Sequence, residues 1–130
     1  MAFEFPGRIV SLDTTTTGLK QFRFVKMNTG GHVLYPAKGD GTIGVLQSGS
    51  TGSTRKPQAV SVMIDGVSKL DLVASTNHAG SFIAASSRGS ACTGGPSAGH
   101  YIVGRLWQDA TGAGVGSVQI INAGYSTSFV

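Results

Sequence analysis

Short apolar runs alternate with clusters of turn-forming residues along most of this chain. The runs fall at 22–27, 32–35, 42–46, 59–73, 81–85, 101–107 and 117–122. Between them lie Asn28-Thr29-Gly30-Gly31, Lys38-Gly39-Asp40-Gly41, the polar stretches 48–54 and 93–99, Arg88-Gly89, and residues 110–116. Runs of this length and spacing predict strands joined by tight turns. Composition agrees: Gly, Ser and Thr number 20, 15 and 12, and Glu4 is the single glutamate. Straight-chain helix formers are scarce and strand formers plentiful, which excludes a helical bundle or a coiled coil. The expected fold is all-β, a single small β-barrel or β-sandwich.

The 130 residues suffice for one domain with its own core. An apolar fraction of 40% with a net charge of +4 argues against disorder. No apolar run approaches the ~20 residues of a spanning helix, so no membrane is expected as partner. A lone Cys92 cannot form an internal disulfide or a thiolate metal cluster. The N-terminus lacks the basic-then-apolar pattern of a signal peptide, and folding in a reducing cytosol is expected. Ten scattered Lys and Arg residues do not compose a nucleic-acid patch, and no direct nucleic-acid partner is expected.

Three segments need separate treatment. Residues 1–20 carry Phe3, Phe5, Pro6 and Arg8, a β-prone stretch and Thr14–Thr17. This reads either as an extended arm that pairs with a neighbouring chain or as a first strand of the same domain. The arm defines the expected division of the chain into 1–20 and a β domain over 21–130. Residues 59–73 contain Asp65-Gly66, a favoured hairpin turn. A hairpin would mix core and solvent positions, whereas one strand keeps Val60, Val62, Ile64, Leu70 and Leu72 on a single side. A single strand kinked or bulged at Gly66 is therefore expected. In 101–107, Tyr101, Val103, Arg105 and Trp107 share one side and Ile102, Gly104 and Leu106 the other. Both sides are partly apolar, which predicts cover from the core and from another subunit.

Few residues suggest chemistry. Residues 39–44 fit G-x-G-x-x-G, but the glycines lead into Ile43-Gly44-Val45-Leu46, which reads as a strand. A dinucleotide site needs a helix N-terminus there, so a plain turn is expected. His32, His78 and His100 lack the close spacing of a zinc site. No Gly-x-Ser-x-Gly elbow occurs. Cys92 reads as a small packing residue. The loop ending in Arg55-Lys56-Pro57 is either a contact with an acidic surface or an ordinary solvated loop.

Several segments together resemble one family. They are Phe22-Arg-Phe-Val-Lys26, Gly41-Thr-Ile-Gly-Val-Leu-Gln47 and Ala59-Val-Ser-Val-Met-Ile-Asp-Gly66-Val-Ser-Lys69, then Ser87-Arg-Gly-Ser-Ala91, Tyr101-Ile-Val-Gly-Arg105 and Gly116-Ser-Val-Gln-Ile-Ile121. In this order they resemble the tailed-phage capsid decoration (cement) proteins of the DUF2190-like type. The likeness spans residues 20–122. The N-terminal arm does not match it, and 72–78 is longer than the pattern leads one to expect.

The resemblance implies a β-tulip-like domain on the exterior of a virion, made in the host cytoplasm and bound to the major capsid protein. It implies a homotrimer at three-fold or quasi-three-fold positions that bridges capsomers of the expanded head. It implies no catalysis and no cofactor. The expected capsid or subunit contacts are Phe3, Phe5, Arg8, Arg55, Lys56 and Trp107. Two other readings stand beside it: a tail- or fibre-associated β module that binds a cell-surface ligand, and a small β-sandwich hydrolase. The hydrolase needs Asp65, Asp71 or Asp109 to meet a histidine in a cleft.

Overall fold

A computed structural model describes residues 4–50, 57–73, 76–91, 100–111 and 114–125. Its strands are β1 (Phe5–Pro6), β2 (Ile9–Thr14), β3 (Phe24–Met27), β4 (Val33–Leu34), β5 (Gly44–Leu46), β6 (Gln58–Met63), β7 (Gly66–Leu72), β8 (Thr76–Asn77), β9 (Phe82–Ile83), β10 (Tyr101–Leu106), β11 (Ala110–Thr111) and β12 (Gly114–Tyr125). A single 3-10 turn, Ser87–Gly89, is the helical exception among the described residues. The chain is all-β, as its turn spacing requires.

Two antiparallel five-stranded sheets carry the fold, in the orders β1-β7-β12-β10-β9 and β2-β6-β5-β3-β4, and β8 pairs with β11 in a small ribbon. Both sheets curl, and the second approaches a half-barrel, its edge strands β2 and β4 joined by the Thr14–Val33 hydrogen bond. Its concave side gathers Val25, Val33, Leu46, Val60 and Val62, with Val10 and Leu12 from β2, and Leu19 closes the space. Its convex side sends Phe24 and Val45 to the first sheet, where they meet Leu70, Leu72, Ile83, Leu106 and Val118. The curled sheet is thus apolar on both faces, which explains why Phe24-Val25 and Val45-Leu46 are buried as adjacent pairs.

The strand expected over 59–73 is two strands in different sheets. β6 belongs to the half-barrel and β7 to the other sheet, and the chain turns the corner at Ile64-Asp65. Strands that change sheets do so at bends. Gly66 makes this one possible: its φ is +93°, and a Cβ there would sit 2.6 Å from the Phe5 carbonyl oxygen. The period of two nonetheless runs through the corner. Val60 and Val62 face the inside of the half-barrel, and Leu70 and Leu72 face the layer between the sheets.

Residues 5–14, left open by the sequence between an arm and a first strand, pair within the chain. β1 lies on β7 through Phe5↔Val67, and β2 lies on β6 along its whole length, Ile9↔Met63 to Thr14↔Gln58. The segment therefore supplies an edge strand to each sheet. In the half-barrel, β2 and β4 form the two edges of a seam, and the Thr14 hydroxyl bridges it by donating to the Val33 carbonyl at 2.7 Å.

Candidate functional site

The first sheet turns one face to the core; on its other face Val67 and Ser117 are buried, while Phe5, Phe82, Arg105, Trp107 and Val115 are exposed. Register places a row of side chains across all five strands of that outer face: Phe5, Val67, Gln119, Arg105 and Phe82. Directly paired residues share a face, so these side chains stand side by side. A second row holds Lys69, Ser117 and Trp107, the last placed by its N–H bond to the Ser117 carbonyl. Val115, opposite Asp71, belongs to the same face.

This face concentrates exposed apolar surface. Among the described residues seven large apolar side chains are exposed, and Phe5 (62%), Phe82 (36%), Trp107 (44%) and Val115 (46%) are four of them. Single exposed apolar residues are ordinary, but a grouped set marks an interaction surface. The Trp107 indole N–H donates to Gln119 Oε1 at 3.1 Å, which ties the second row to the first.

The face also carries positive charge. The Arg105 guanidinium carbon lies 4.8 Å from the centre of the Phe82 ring, and the Lys69 ammonium 5.9 Å from that of Phe22. Both distances fit a cation held over a ring by its quadrupole. Neither cation is in an ion pair among the described residues, whereas Arg8, Arg23 and Lys26 are paired with Asp65, Asp71 and Asp40. The acid on this face, Asp71, is thereby neutralised by Arg23 at 2.7 Å.

Of the expected contact residues, Phe5 and Trp107 are brought to this one face. Arg8 is held at the corner: its side chain is 2.8 Å from Asp65 Oδ2, and its backbone N–H donates to Oδ1 of the same carboxylate. These two hydrogen bonds, the amide's first, hold the Asp65 carboxyl below the ordinary carboxylate value. Phe3, Arg55 and Lys56 lie outside the described residues. Arg105, Phe82, Gln119 and Lys69 join the site without having been singled out in the sequence. The alternation over 101–107 already put Arg105 beside Trp107. Phe82 and Gln119 arrive through strand order, which local pattern does not encode.

Within the single chain, the core covers one side of 101–107. Gly104 and Leu106 are buried toward the core, while Tyr101, Arg105 and Trp107 are exposed. Val103 departs from the alternation and is buried, beside a register shift between Ile102 and Gly104.

A cleft of about 450 Å³ opens where the sheets part, lined by Thr42, Ile43, Ile64, Asp65, Ile120 and Ile121. Four isoleucines and one carboxylate already engaged by Arg8 give it an apolar character. The carboxylates that a hydrolase would need are separately occupied: Asp65 by Arg8, Asp71 by Arg23, and Asp109 by the Ala79 amide at 2.7 Å. Among the described residues no three His, Cys, Asp or Glu side chains gather as a metal site. Cys92 lies outside them. Gly39 sits in a turn with φ +82°, and the G-x-G-x-x-G run leads into β5, without a helix to receive a phosphate.

No known family model matches the chain, and no curated protein matches it significantly.

Proposed function

We propose that the protein is a structural component of a tailed-phage virion, binding the outside of the capsid and bridging neighbouring capsomers of the expanded head. The observation that carries this reading is the outer face of the sheet β1-β7-β12-β10-β9, where Phe5, Phe82, Trp107 and Val115 are exposed beside Arg105 and Lys69. A clamp needs a stiff scaffold and a broad contact surface, and a five-stranded sheet on a packed core supplies both. Aromatic side chains and Arg are the residue types that dominate binding energy at protein interfaces. Contacts that are weak singly become strong when one particle presents many of them, as a capsid does. The order of segments that resembles decoration proteins supports the same reading.

The test is co-sedimentation of the protein with heads of the phage that encodes it, comparing expanded and unexpanded shells. Saturable binding to expanded heads alone is the expected result. Binding to neither form overturns the proposal.

A further inference from the structure

We infer that the partner seated on the outer face is an acidic protein surface, its carboxylates meeting Arg105 and Lys69 around an apolar patch that takes Trp107 and Phe82. The inference rests on the reading of this face as the contact surface, and it names the chemistry of what the face meets. Each of the two cations leans on an aromatic ring, Arg105 on Phe82 at 4.8 Å and Lys69 on Phe22 at 5.9 Å. A ring attracts a cation through its quadrupole but offers no lone pair, so the N–H donors still call for an oxygen acceptor. Among the described residues neither cation is in an ion pair. A carboxylate is the acceptor that matches both charge and geometry, most of all for the planar fork of Arg105.

The sheet sets the spacing of the two cations. Lys69 pairs with Ser117, which lies two residues from Gln119, the partner of Arg105. Two strand separations across and two residues along put their Cα atoms roughly 12 Å apart. Between them stand Gln119 and the buried Ser117, with Trp107 joined to both. The Trp107 indole N–H is taken by Gln119 Oε1 at 3.1 Å, so the exposed part of the ring offers carbon to a partner. The complementary surface is therefore apolar at its centre and carries acids to either side.

The charge of this face has one sign. Asp71 is the carboxylate that register places on it among the described residues, and Arg23 holds that group at 2.7 Å. The excess is positive, as it is for the whole chain at +4. A neutral partner would bury both cations without counter-charges, which is strongly unfavourable, whereas an acidic one is steered to the face and pairs with it. Nucleic acid fits less well. Its interfaces are built on clustered Lys and Arg, and here the two cations stand apart among exposed apolar side chains.

Trp107 is the single tryptophan of the chain, so its fluorescence reports on this face. The experiment titrates the full chain with poly-L-glutamate at low salt, as wild type and as Arg105→Glu, Lys69→Glu and Lys20→Glu, each checked for folding by circular dichroism. Lys20→Glu makes the same charge change beside the half-barrel, where the Lys20 amide donates to the Tyr35 hydroxyl at 2.7 Å. A saturable change is expected, reversed by high salt. It should weaken at least tenfold in Arg105→Glu and Lys69→Glu and stay nearly unaltered in Lys20→Glu. No response by the wild type, or one that both face variants share in full, overturns the inference. So does tighter binding of an oligothymidylate of equal charge, which would make the occupant a nucleic acid. The same proteins are then sedimented with expanded heads, where retention should fall with salt and in both face variants. Heads that retain the wild type and both face variants alike overturn the inference and leave the capsid reading standing. Heads that retain none, while poly-L-glutamate binds, overturn the capsid reading and leave the acidic partner standing.

Discussion

Arg105 and Phe82 face each other across β10 and β9 in direct register, with the guanidinium carbon 4.8 Å from the ring centre. The pair joins an edge strand that is only two residues long to the body of the sheet. It also fixes a cation at the rim of the exposed aromatic face. Stacking of this kind at an exposed site is worth about 0.5–1 kcal/mol. Arg105→Ala, Phe82→Ala and the double variant should give a coupling energy in that range by urea denaturation. Additive effects would show that the two side chains do not interact. Under the proposed role, Arg105→Ala should also weaken retention on expanded heads.

Gly66 tolerates no side chain. Its φ of +93° is strained for any other residue, and a Cβ would press on the Gly7 amide and the Phe5 carbonyl. Gly66→Ala should therefore cost more than about 2 kcal/mol, combining backbone strain with displacement of β1 from β7. The shift of the urea midpoint measures it. Gly80, also at positive φ but with open space around it, serves as the comparison, and Gly80→Ala should cost less.

The Gly66 corner also shows where the sequence was legible. Alternation over 59–73 located the bend and kept the apolar face through it. It did not reveal that β6 and β7 enter different sheets, because a residue facing the inside of the half-barrel and one facing the layer between sheets carry the same apolar signature. Turn clusters likewise bracketed β3, β4, β5, β9 and β10. The strand beginning at Gly114 and the pairing of β8 with β11 were hidden, since Gly and Thr there read as turn. At the site, Phe5 and Trp107 stood out as isolated aromatics. Their neighbours Gln119 and Phe82 did not, because the row that unites them crosses β7, β12, β10 and β9, and long-range strand order leaves no local mark.

Leu70 is fully buried between the sheets, in the cluster that holds Phe24, Val45 and Leu106. Leu70→Ala should cost about 2–5 kcal/mol, the range for emptying a packed site. Asp71, its neighbour on the opposite face, offers a contrast. Asp71→Asn removes a partly exposed ion pair with Arg23 and should cost less than Leu70→Ala by thermal or chemical denaturation.

Acid should act through Asp40 and Asp65. The Lys26 ammonium, 2.6 Å from Asp40 Oδ2, and then the Ala37 amide hold the Asp40 carboxyl below its ordinary value of 3.8. The unfolded chain then binds a proton more readily than the folded one. The resulting stabilisation is fully present above pH 3.8 and is lost as pH falls through the lowered folded value. Asp65, held down by Arg8, contributes with the same sign. Both carboxylates are open to solvent, so the effect is small. Asp40→Asn should lower the neutral region of a stability-against-pH curve slightly, leave its acid end unchanged and so flatten the acid limb. An unaltered acid limb would show that this pair does not couple to folding.

Phe5 separates binding from folding most cleanly. Its side chain is 62% exposed, and β1 is held to β7 through a backbone pairing that any residue at that position can make. Phe5→Ala should lower folding stability by less than about 1 kcal/mol, as surface substitutions do. Under the proposed role the same side chain anchors one end of the row that meets the capsid. A buried aromatic anchor is typically worth 2 kcal/mol or more to an interface, on the order of a thirtyfold loss in affinity when it is truncated. Co-sedimentation with expanded heads measures that loss, and a far-ultraviolet circular dichroism melt checks that the fold is retained. Unchanged binding by a folded Phe5→Ala protein would remove β1 from the contact surface and confine it to the Arg105, Phe82 and Trp107 end of the sheet.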